Sequence, residues 1–460
     1  MARRRPCDDD RRCQHRLYRR GRPVSAQIVN MGCRLNIHEG EIIRQHIAGQ
    51  DDLVVVNSCA VTNEAVRSTR QTLRRLRRER PDATIAVTGC AAQIDPASFA
   101  DMPEVDRVIG NADKLTPEAW RREGRARRGD QISDIMSVTE TAPHLVAAMG
   151  ANTRGFVEVQ NGCDHRCTFC IIPYGRGNSR SVPAGRVIER VRALVQGGHR
   201  EVVLTGVDLT SYGPDLPGSP TLGSLIARIL KHVPTLERLR ISSIDSIEAD
   251  QALVDLIVSE PRIMPHLHLS LQAGDDMILK RMKRRHDRDQ AIRFVDTIKS
   301  RRPDIAIGAD IIAGFPTETD AMFENSLRLV DDCDIVFGHI FPYSARSGTP
   351  AARMPQVPMP IRKARAKALR AACAARRDRW FDTLVGTEQA VLAERGGQGH
   401  TDHFAPVRLT SSCEPGEIIS ARITGHEAGR LLADTATYPA ASLEAGELNG
   451  ARIMSKTTHV

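Results

Sequence analysis

The stretch Asn161-Gly162-Cys163-Asp164-His165-Arg166-Cys167-Thr168-Phe169-Cys170-Ile171-Ile172-Pro173 decides how the rest of this chain is read. Its three cysteines are separated by three and then two residues. An apolar run, Gly155–Gln160, precedes it and reads as a strand. The thiols therefore fall at the carboxyl end of a strand, where barrel enzymes place their chemistry. Three thiolates hold three of the four irons of a 4Fe-4S cube and leave the fourth iron open to a chelating amine and carboxylate. An electron passed from such a cluster can break the carbon–sulfur bond of a bound sulfonium. The competing reading is a zinc knuckle, which needs four ligands. His165 is the available fourth donor, but it sits between the cysteines at a poor spacing.

Outward from this segment, residues 149–380 repeat one pattern. Apolar runs at Glu201–Thr205, Leu236–Ser242, His266–Leu271, Ile305–Ile312 and Ile335–Phe341 follow the first strand. Helical periodicity separates them at Ala184–Gln196, Thr221–His232 and Asp287–Ser300. Six strand–helix units predict a partial (β/α)6 barrel. A long Ala- and Arg-rich helix follows over residues 360–381.

Toward the N-terminus, residues 25–135 alternate strands (Ala26–Asn30, Leu53–Asn57, Thr84–Thr88) with helices (Asn36–Ala48, Glu64–Arg80). That alternation predicts an open parallel α/β domain. Each of its strands ends in a cysteine: Cys33, Cys59 and Cys90. Ligands bind beyond the carboxyl ends of strands in such a sheet, so the three thiols are expected at one edge. Gly32 and Gly89 allow tight turns beside a bulky group. The sharp reading is a second three-thiolate cluster, and the plain one is three buried structural cysteines.

Beyond residue 381 the pattern changes to short strands, Gln389–Glu394, Ala405–Leu409, Glu417–Ile423 and Arg430–Asp434, punctuated by glycines. Residues 381–440 are expected to form a small β-barrel, and 441–460 a frayed tail. Residues 1–24 read as a basic disordered arm carrying Cys7 and Cys13. Gly124 through Gly129 read as a loop between domains.

The chain has 460 residues and a net charge of +9. The isoelectric point near 9.1 favours a polyanionic partner such as nucleic acid, or simply an Arg-rich surface. No window reaches the roughly 18 apolar residues of a membrane span, so no membrane is expected. The N-terminus lacks the apolar core of a secretory signal, so the expected compartment is the cytoplasm. Eleven cysteines are too few for a disulfide scaffold, and grouped thiols in a reducing compartment point to metal or redox chemistry. The arginines of Arg67–Arg80 and Arg362–Arg379 read either as phosphate tracks or as solvated helix faces.

The triad together with six βα units resembles the radical S-adenosylmethionine superfamily. That resemblance implies a 5′-deoxyadenosyl radical made from S-adenosylmethionine at the cluster of Cys163, Cys167 and Cys170. Phe169 matches the aromatic that the family often carries before the third cysteine. Gly206 and Asp208, after the second strand, stand where the family contacts the methionine amino group. Ser243, Gln272 and Asp310 close later strands and are expected around the cofactor; each could equally cap a helix.

The N-terminal three-cysteine domain, the barrel and the terminal β domain together resemble the methylthiotransferase family over about residues 25–435. The resemblance implies two 4Fe-4S clusters, the second held by Cys33, Cys59 and Cys90. It also implies S-adenosylmethionine as both radical source and methyl donor. Asn57–Asn63, Cys170–Pro183 and Leu204–Gly213 resemble the threonylcarbamoyladenosine tRNA branch, which modifies C2 of the adenine at tRNA position 37. The expected partners are the tRNA anticodon loop and an electron donor such as flavodoxin or ferredoxin. The terminal domain resembles a TRAM domain, with Arg395, His400, His403, Arg408 and Arg422 as candidate RNA contacts. Alternatives are a methylthiotransferase of isopentenyladenosine tRNA or of a ribosomal-protein Asp, and a non-catalytic iron–sulfur or zinc RNA-binding protein. The interval between Cys33 and Cys59 is short for the family.

Overall fold

The computed structural model describes residues 25–121, 132–139 and 153–435. The basic arm with Cys7 and Cys13, the Gly124–Gly129 segment and the terminal tail lie outside the described residues.

The N-terminal domain is a parallel sheet in sequential order, β1 (Gln27–Asn30), β2 (Leu53–Ser58), β3 (Thr84–Gly89) and β4 (Arg107–Val108). The short β4 was not expected from the sequence, because two residues carry no period. The central strand Leu-Val-Val-Val-Asn-Ser is buried throughout. Its odd residues Leu53 and Val55 pack with Ile43, Ile47 and Trp120 on one face. Val54 and Val56 pack with Leu73, Leu76 and Phe99 on the other. Covering both faces is what permits an uninterrupted apolar strand. Helix α1 (Arg34–His46) supplies Ile43, and α2 (Asn63–Glu79) supplies Leu73 and Leu76. Thr62 starts α2, its hydroxyl accepting from the Ala65 amide at 3.1 Å.

The central domain has six parallel strands: β5 (Arg154–Glu158), β6 (Glu201–Thr205), β7 (Arg238–Ile241), β8 (His266–Gln272), β9 (Ala306–Ala313) and β10 (Ile335–Pro342). β5–β6–β7 form one ladder and β8–β9–β10 another. Isolated parallel bridges, Leu239 to Ile263 and Ile244 to Leu269, link the two. The result is the expected partial barrel. Its strands alternate sharply. Leu239, Ile241, Leu267, Leu269, Leu271, Ile307, Ala309 and Ile311 belong to the apolar layer under the helices. The intervening residues, Arg238, Arg240, His266, His268 and Asp310, lie on the opposite, lumen face. The lumen of this barrel is therefore charged.

Helix α3 (Met359–Leu384) crosses from the central domain to the C-terminal one. There β11 (Glu388–Glu394), β12 (Gln398–Thr401), β13 (Pro406–Leu409), β14 (Ile418–Glu427) and β15 (Arg430–Thr435) close a barrel in the order β11-β12-β13-β15-β14. Phe381 of α3 is fully buried with Val391, Val407, Ile423 and Leu431. Strand β12 is the correction here. It was not among the expected strands, since glycines punctuate this stretch, yet it pairs with both neighbours and completes the barrel.

Candidate functional site

Each strand end brings a thiol to the seam between the first two domains. The Cys163 amide donates to the Gly177 carbonyl at 3.1 Å, and the Thr168 amide to the Met282 carbonyl at 3.1 Å. These bonds pin both arms of the loop. The Cys170 amide donates to the Cys167 carbonyl at 3.0 Å, turning the third thiol back toward the first two. Burial pushes the Cys170 thiol up to about 11 and that of Cys163 well above its usual range. Thiols in such surroundings ionise when a metal binds them, so the donors suit a metal-bound group rather than free thiolates.

The N-terminal trio is built the same way. Gly32 has φ +87°, and a Cβ there would lie 2.7 Å from the Cys59 sulfur. Only glycine lets the first strand's turn approach that thiol. Burial raises the Cys59 thiol to about 11, and Cys90 and Cys33 add to the rise. The thirteen-residue α1 spans the short interval, so Cys33 and Cys59 reach the same sheet edge. The two trios face one another. Cys90 and Ile171, the residue after Cys170, belong to one apolar cluster. The short helix Ile172–Arg176 lies against Cys90, where a methyl group on Gly175 would stand 3.1 Å from the Cys90 Cβ. The donor sets thus fit two three-thiolate groups on opposite walls of one seam.

A buried ion cluster locks that seam. Glu39 of α1 accepts from Lys114 Nζ at 2.7 Å and from Arg176 Nη1 at 2.9 Å. Arg176 also donates to Asn36 Oδ1 at 2.7 Å, and to Asn161 Oδ1 at 3.1 Å beside the triad. All five side chains are buried. Burial alone would raise Glu39, but Arg176 and Lys114 hold it down at about 2. Sequence reading missed this cluster, because its members are 75 and 137 positions apart and each belongs to an unremarkable local pattern.

Among the other expected residues, Asp208 sits closest to the triad. Its Oδ2 lies 3.7 Å from the Cys163 sulfur and accepts from Ser211 at 2.8 Å. His165 Nε2 is 2.8 Å from the same oxygen, so that nitrogen is engaged outside the thiol set. Burial opposes ionisation of Asp208, but hydrogen bonds from His165 and Ser211 bring it below the usual carboxylate range. Gln160 Oε1 accepts from the Val207 and Asp208 amides at 3.0 and 2.9 Å, fixing the turn that contains Gly206. Phe169 packs edge-on to Phe315 with centroids 6.5 Å apart. Gln272 ends β8 in a left-handed conformation, φ +67°. Ser243 follows β7 and is partly buried. Asp310 is deeper than a strand end: it is the fifth of the eight residues of β9 and accepts from His268 at 3.0 Å. Arg284 was not foreseen. It reaches Asp245 Oδ2 at 2.6 Å and the Cys167 sulfur at 3.9 Å.

The basic features divide. On α2, Arg67, Arg74, Arg75 and Arg77, with Arg80 at its C-terminal cap, have acidic partners, so much of that face is internally neutralised. In the terminal barrel Arg395, Arg408 and Arg422 are exposed. His400 and His403 instead face the seam with the core. His400 stacks on Phe404 at 4.7 Å, and His403 lies 3.5 Å from Asp304.

Residues 25–110 match the family model described as Uncharacterized protein family UPF0004, and residues 157–330 match the Radical SAM superfamily. The threonylcarbamoyladenosine tRNA methylthiotransferase MtaB of Rickettsia prowazekii is 50% identical over 405 residues, 88% of this chain and 96% of the relative. The chain belongs to the radical S-adenosylmethionine methylthiotransferase family. The MtaB of Aquifex aeolicus is 34% identical, covering 85% of this chain and 97% of its own. A tRNA-2-methylthio-N(6)-dimethylallyladenosine synthase of Cereibacter sphaeroides is 35% identical over 86% of this chain and 95% of its own. The radical S-adenosylmethionine methyltransferase TsrM of Kitasatospora setae superposes with a TM-score of 0.50 at 16% identity, over 68% of this chain and 66% of that one, which is a likeness of fold. Membership in this methylthiotransferase family brings with it S-adenosylmethionine and a 4Fe-4S cluster. Among the described residues no helix is long and apolar enough to cross a membrane.

Proposed function

We propose that this methylthiotransferase inserts a methylthio group at C2 of N6-threonylcarbamoyladenosine at tRNA position 37. Cys163, Cys167 and Cys170 hold one 4Fe-4S cluster, and Cys33, Cys59 and Cys90 hold the second. The observation that carries this reading is the meeting of the two thiol-bearing segments across one seam: Cys90 shares an apolar cluster with Ile171, next to Cys170, and lies against Gly175 of the helix that follows. Sulfur inserted at a carbon has to be delivered where the hydrogen is removed, and facing trios place both functions within reach of one base. When bound, the clusters and S-adenosylmethionine supply the radical, the sulfur and the methyl group.

The chain's own residues orient and shield. Asp208, kept ionised by His165 and Ser211, is the acceptor for the cofactor's ammonium group. Gly206, Ser243 and Gln272 line the same end of the barrel, and Phe169 packs behind the third thiol. Arg284 places a guanidinium next to the Cys167 sulfur. The Glu39–Lys114–Arg176 cluster fixes the distance between the two trios. Residues 25–135 act as the sulfur-donor domain, 149–380 as the radical core and 381–440 as the RNA-holding domain, with Arg395, Arg408 and Arg422 toward phosphates. A low-potential electron donor of the flavodoxin or ferredoxin class supplies the electrons.

Support for the threonylcarbamoyl substrate comes from the 50% identical relative and from the stretches Asn57–Asn63, Cys170–Pro183 and Leu204–Gly213. Mass spectrometry of tRNA nucleosides from cells with and without the gene tests it. Loss of the methylthio form with threonylcarbamoyladenosine accumulating is expected. An unchanged nucleoside profile would refute the tRNA substrate and move attention to a protein side chain.

A further inference from the structure

Arg34 follows Cys33 directly and is the first residue of α1, yet its side chain reaches the lumen of the central barrel. Its guanidinium lies 5.2 Å from the centroid of Phe404. Arg154 and Arg240 approach the same ring at 5.2 and 4.8 Å. Three guanidiniums around one ring repel each other, so the available carboxylates decide how each is held.

Those carboxylates are already committed. Glu201 accepts from Arg154 Nε at 2.7 Å and Arg240 Nε at 2.9 Å. Glu394 takes the other side of Arg154. Asp402 pairs with Arg238 at 2.6 Å. Asp310 is shared by His268 at 3.0 Å and His339 at 3.3 Å. Among the described residues, Arg34 is the guanidinium of this group with no carboxylate in ion-pair contact. Glu201 and Asp310 act on it only at longer range, while Arg240 and Arg154 oppose its charge. An unpaired cation inside a protein is unfavourable unless an anion joins it.

The lumen is reachable, since the His339 side chain on the edge strand β10 is 60% exposed. His268, Asp310 and His339 by themselves have the donor set of a divalent-metal site. Arg34, which feels the charge of Asp310, puts a cation near them, and that disfavours a dication and favours an anion. The substrate proposed above carries one anionic group besides its phosphates, the carboxylate of its threonyl moiety.

We propose that Arg34 anchors a carboxylate subsite in the barrel lumen that receives the threonyl carboxylate of the substrate nucleoside. The inference rests on the threonylcarbamoyladenosine reading. Arg34 thereby sets substrate choice: its neighbour Cys33 belongs to the sulfur-donor trio, so one turn of chain would both present the sulfur and read the base's side chain. A planar guanidinium suits a carboxylate because it donates two parallel hydrogen bonds.

The test compares two anticodon stem-loop RNAs with the holoenzyme. One carries threonylcarbamoyladenosine at position 37; the other carries the neutral N6-propylcarbamoyl analogue, which lacks the carboxylate. Wild type is expected to favour the charged RNA by roughly 10- to 100-fold in Kd and KM, the range of one charge-assisted contact. Arg34→Gln should bring that ratio close to one, and Arg34→Lys should restore part of it. Because the readout is a ratio within one variant, a general loss of folded enzyme cancels. A ratio preserved in Arg34→Gln would overturn the subsite while leaving the substrate reading intact. Equal weakening toward both RNAs would overturn it too, showing that Arg34 meets a backbone phosphate. Product from an isopentenyladenosine stem-loop, with none from the threonylcarbamoyl one, would overturn the substrate reading and the subsite with it.

Discussion

Replacing Glu39 by Gln keeps the shape of the seam but removes the one carboxylate between Lys114 and Arg176. Glu39, Lys114 and Arg176 have side chains only 1%, 0% and 3% exposed, so solvent cannot take over the lost partner. Breaking a buried ion pair from one side costs about 3–5 kcal/mol. The depression of Glu39 from 4.5 to about 2 gives a second route to the figure. At ~1.4 kcal/mol per unit it corresponds to ~3 kcal/mol, in the same range. Trp120 is a convenient reporter. It is buried in the N-terminal domain, and its indole donates to the Lys114 carbonyl at 2.8 Å. In a Trp380→Phe background, urea unfolding followed by Trp120 fluorescence should show a midpoint lower by on the order of 1–2 M. Iron content should fall with it, because Cys33 and Cys90 are then poorly held. Adding Lys114→Met to Glu39→Gln should recover part of the loss, since one of the two stranded cations is gone. A Glu39→Gln midpoint within about 0.3 M of wild type would refute the account of the seam.

Four further outcomes can be checked. Alanine at Cys163, Cys167 or Cys170 should abolish reductive cleavage of S-adenosylmethionine, whereas alanine at Cys33, Cys59 or Cys90 should spare cleavage and stop sulfur insertion; product formed with all three N-terminal thiols removed would sink the second assignment. Reconstituted protein should carry about eight irons per chain, falling to about four in either set of variants. Gly32→Ala should lose the N-terminal irons while keeping the others, because its Cβ would meet the Cys59 sulfur in a left-handed turn; iron retained in full would remove the steric argument. Acid should destabilise the protein in a defined window: Glu39 and Glu201 are both held down at about 2, so their stabilisation is complete above pH 4.5 and is lost as pH falls from there toward 2. A urea midpoint flat across that window would contradict both ion clusters.

Much of the architecture was readable because it is written in local periods. The triad announced itself by spacing, and the strand before it by a short apolar run. Alternation in His266–Gln272, with leucine at every second place, marked a strand with one apolar face. The terminal barrel was visible apart from β12, whose four residues Gln398–Thr401 carry a glycine and stand among others. Asp310 looked like a strand-end residue, but the strand continues three residues past it and leaves it beside His268 in the lumen. His400 and His403 looked available for RNA, and their rings are occupied by the seam with the core.

The sequence alone brought out the chemical candidates: six cysteines at strand ends, their spacing and the glycines beside them point toward three-thiolate metal groups. Nearest-neighbour rules suffice there, because cysteine spacing and strand periods act over a few residues. What only the tertiary structure decided is how those groups meet. Glu39, Lys114 and Arg176 join α1 to the segment after the triad over separations of 75 and 137 residues. Arg34 becomes notable only once the carboxylates around it are seen to be taken. Charges act through space, and their pairing is settled by which segments the fold brings together rather than by their order along the chain.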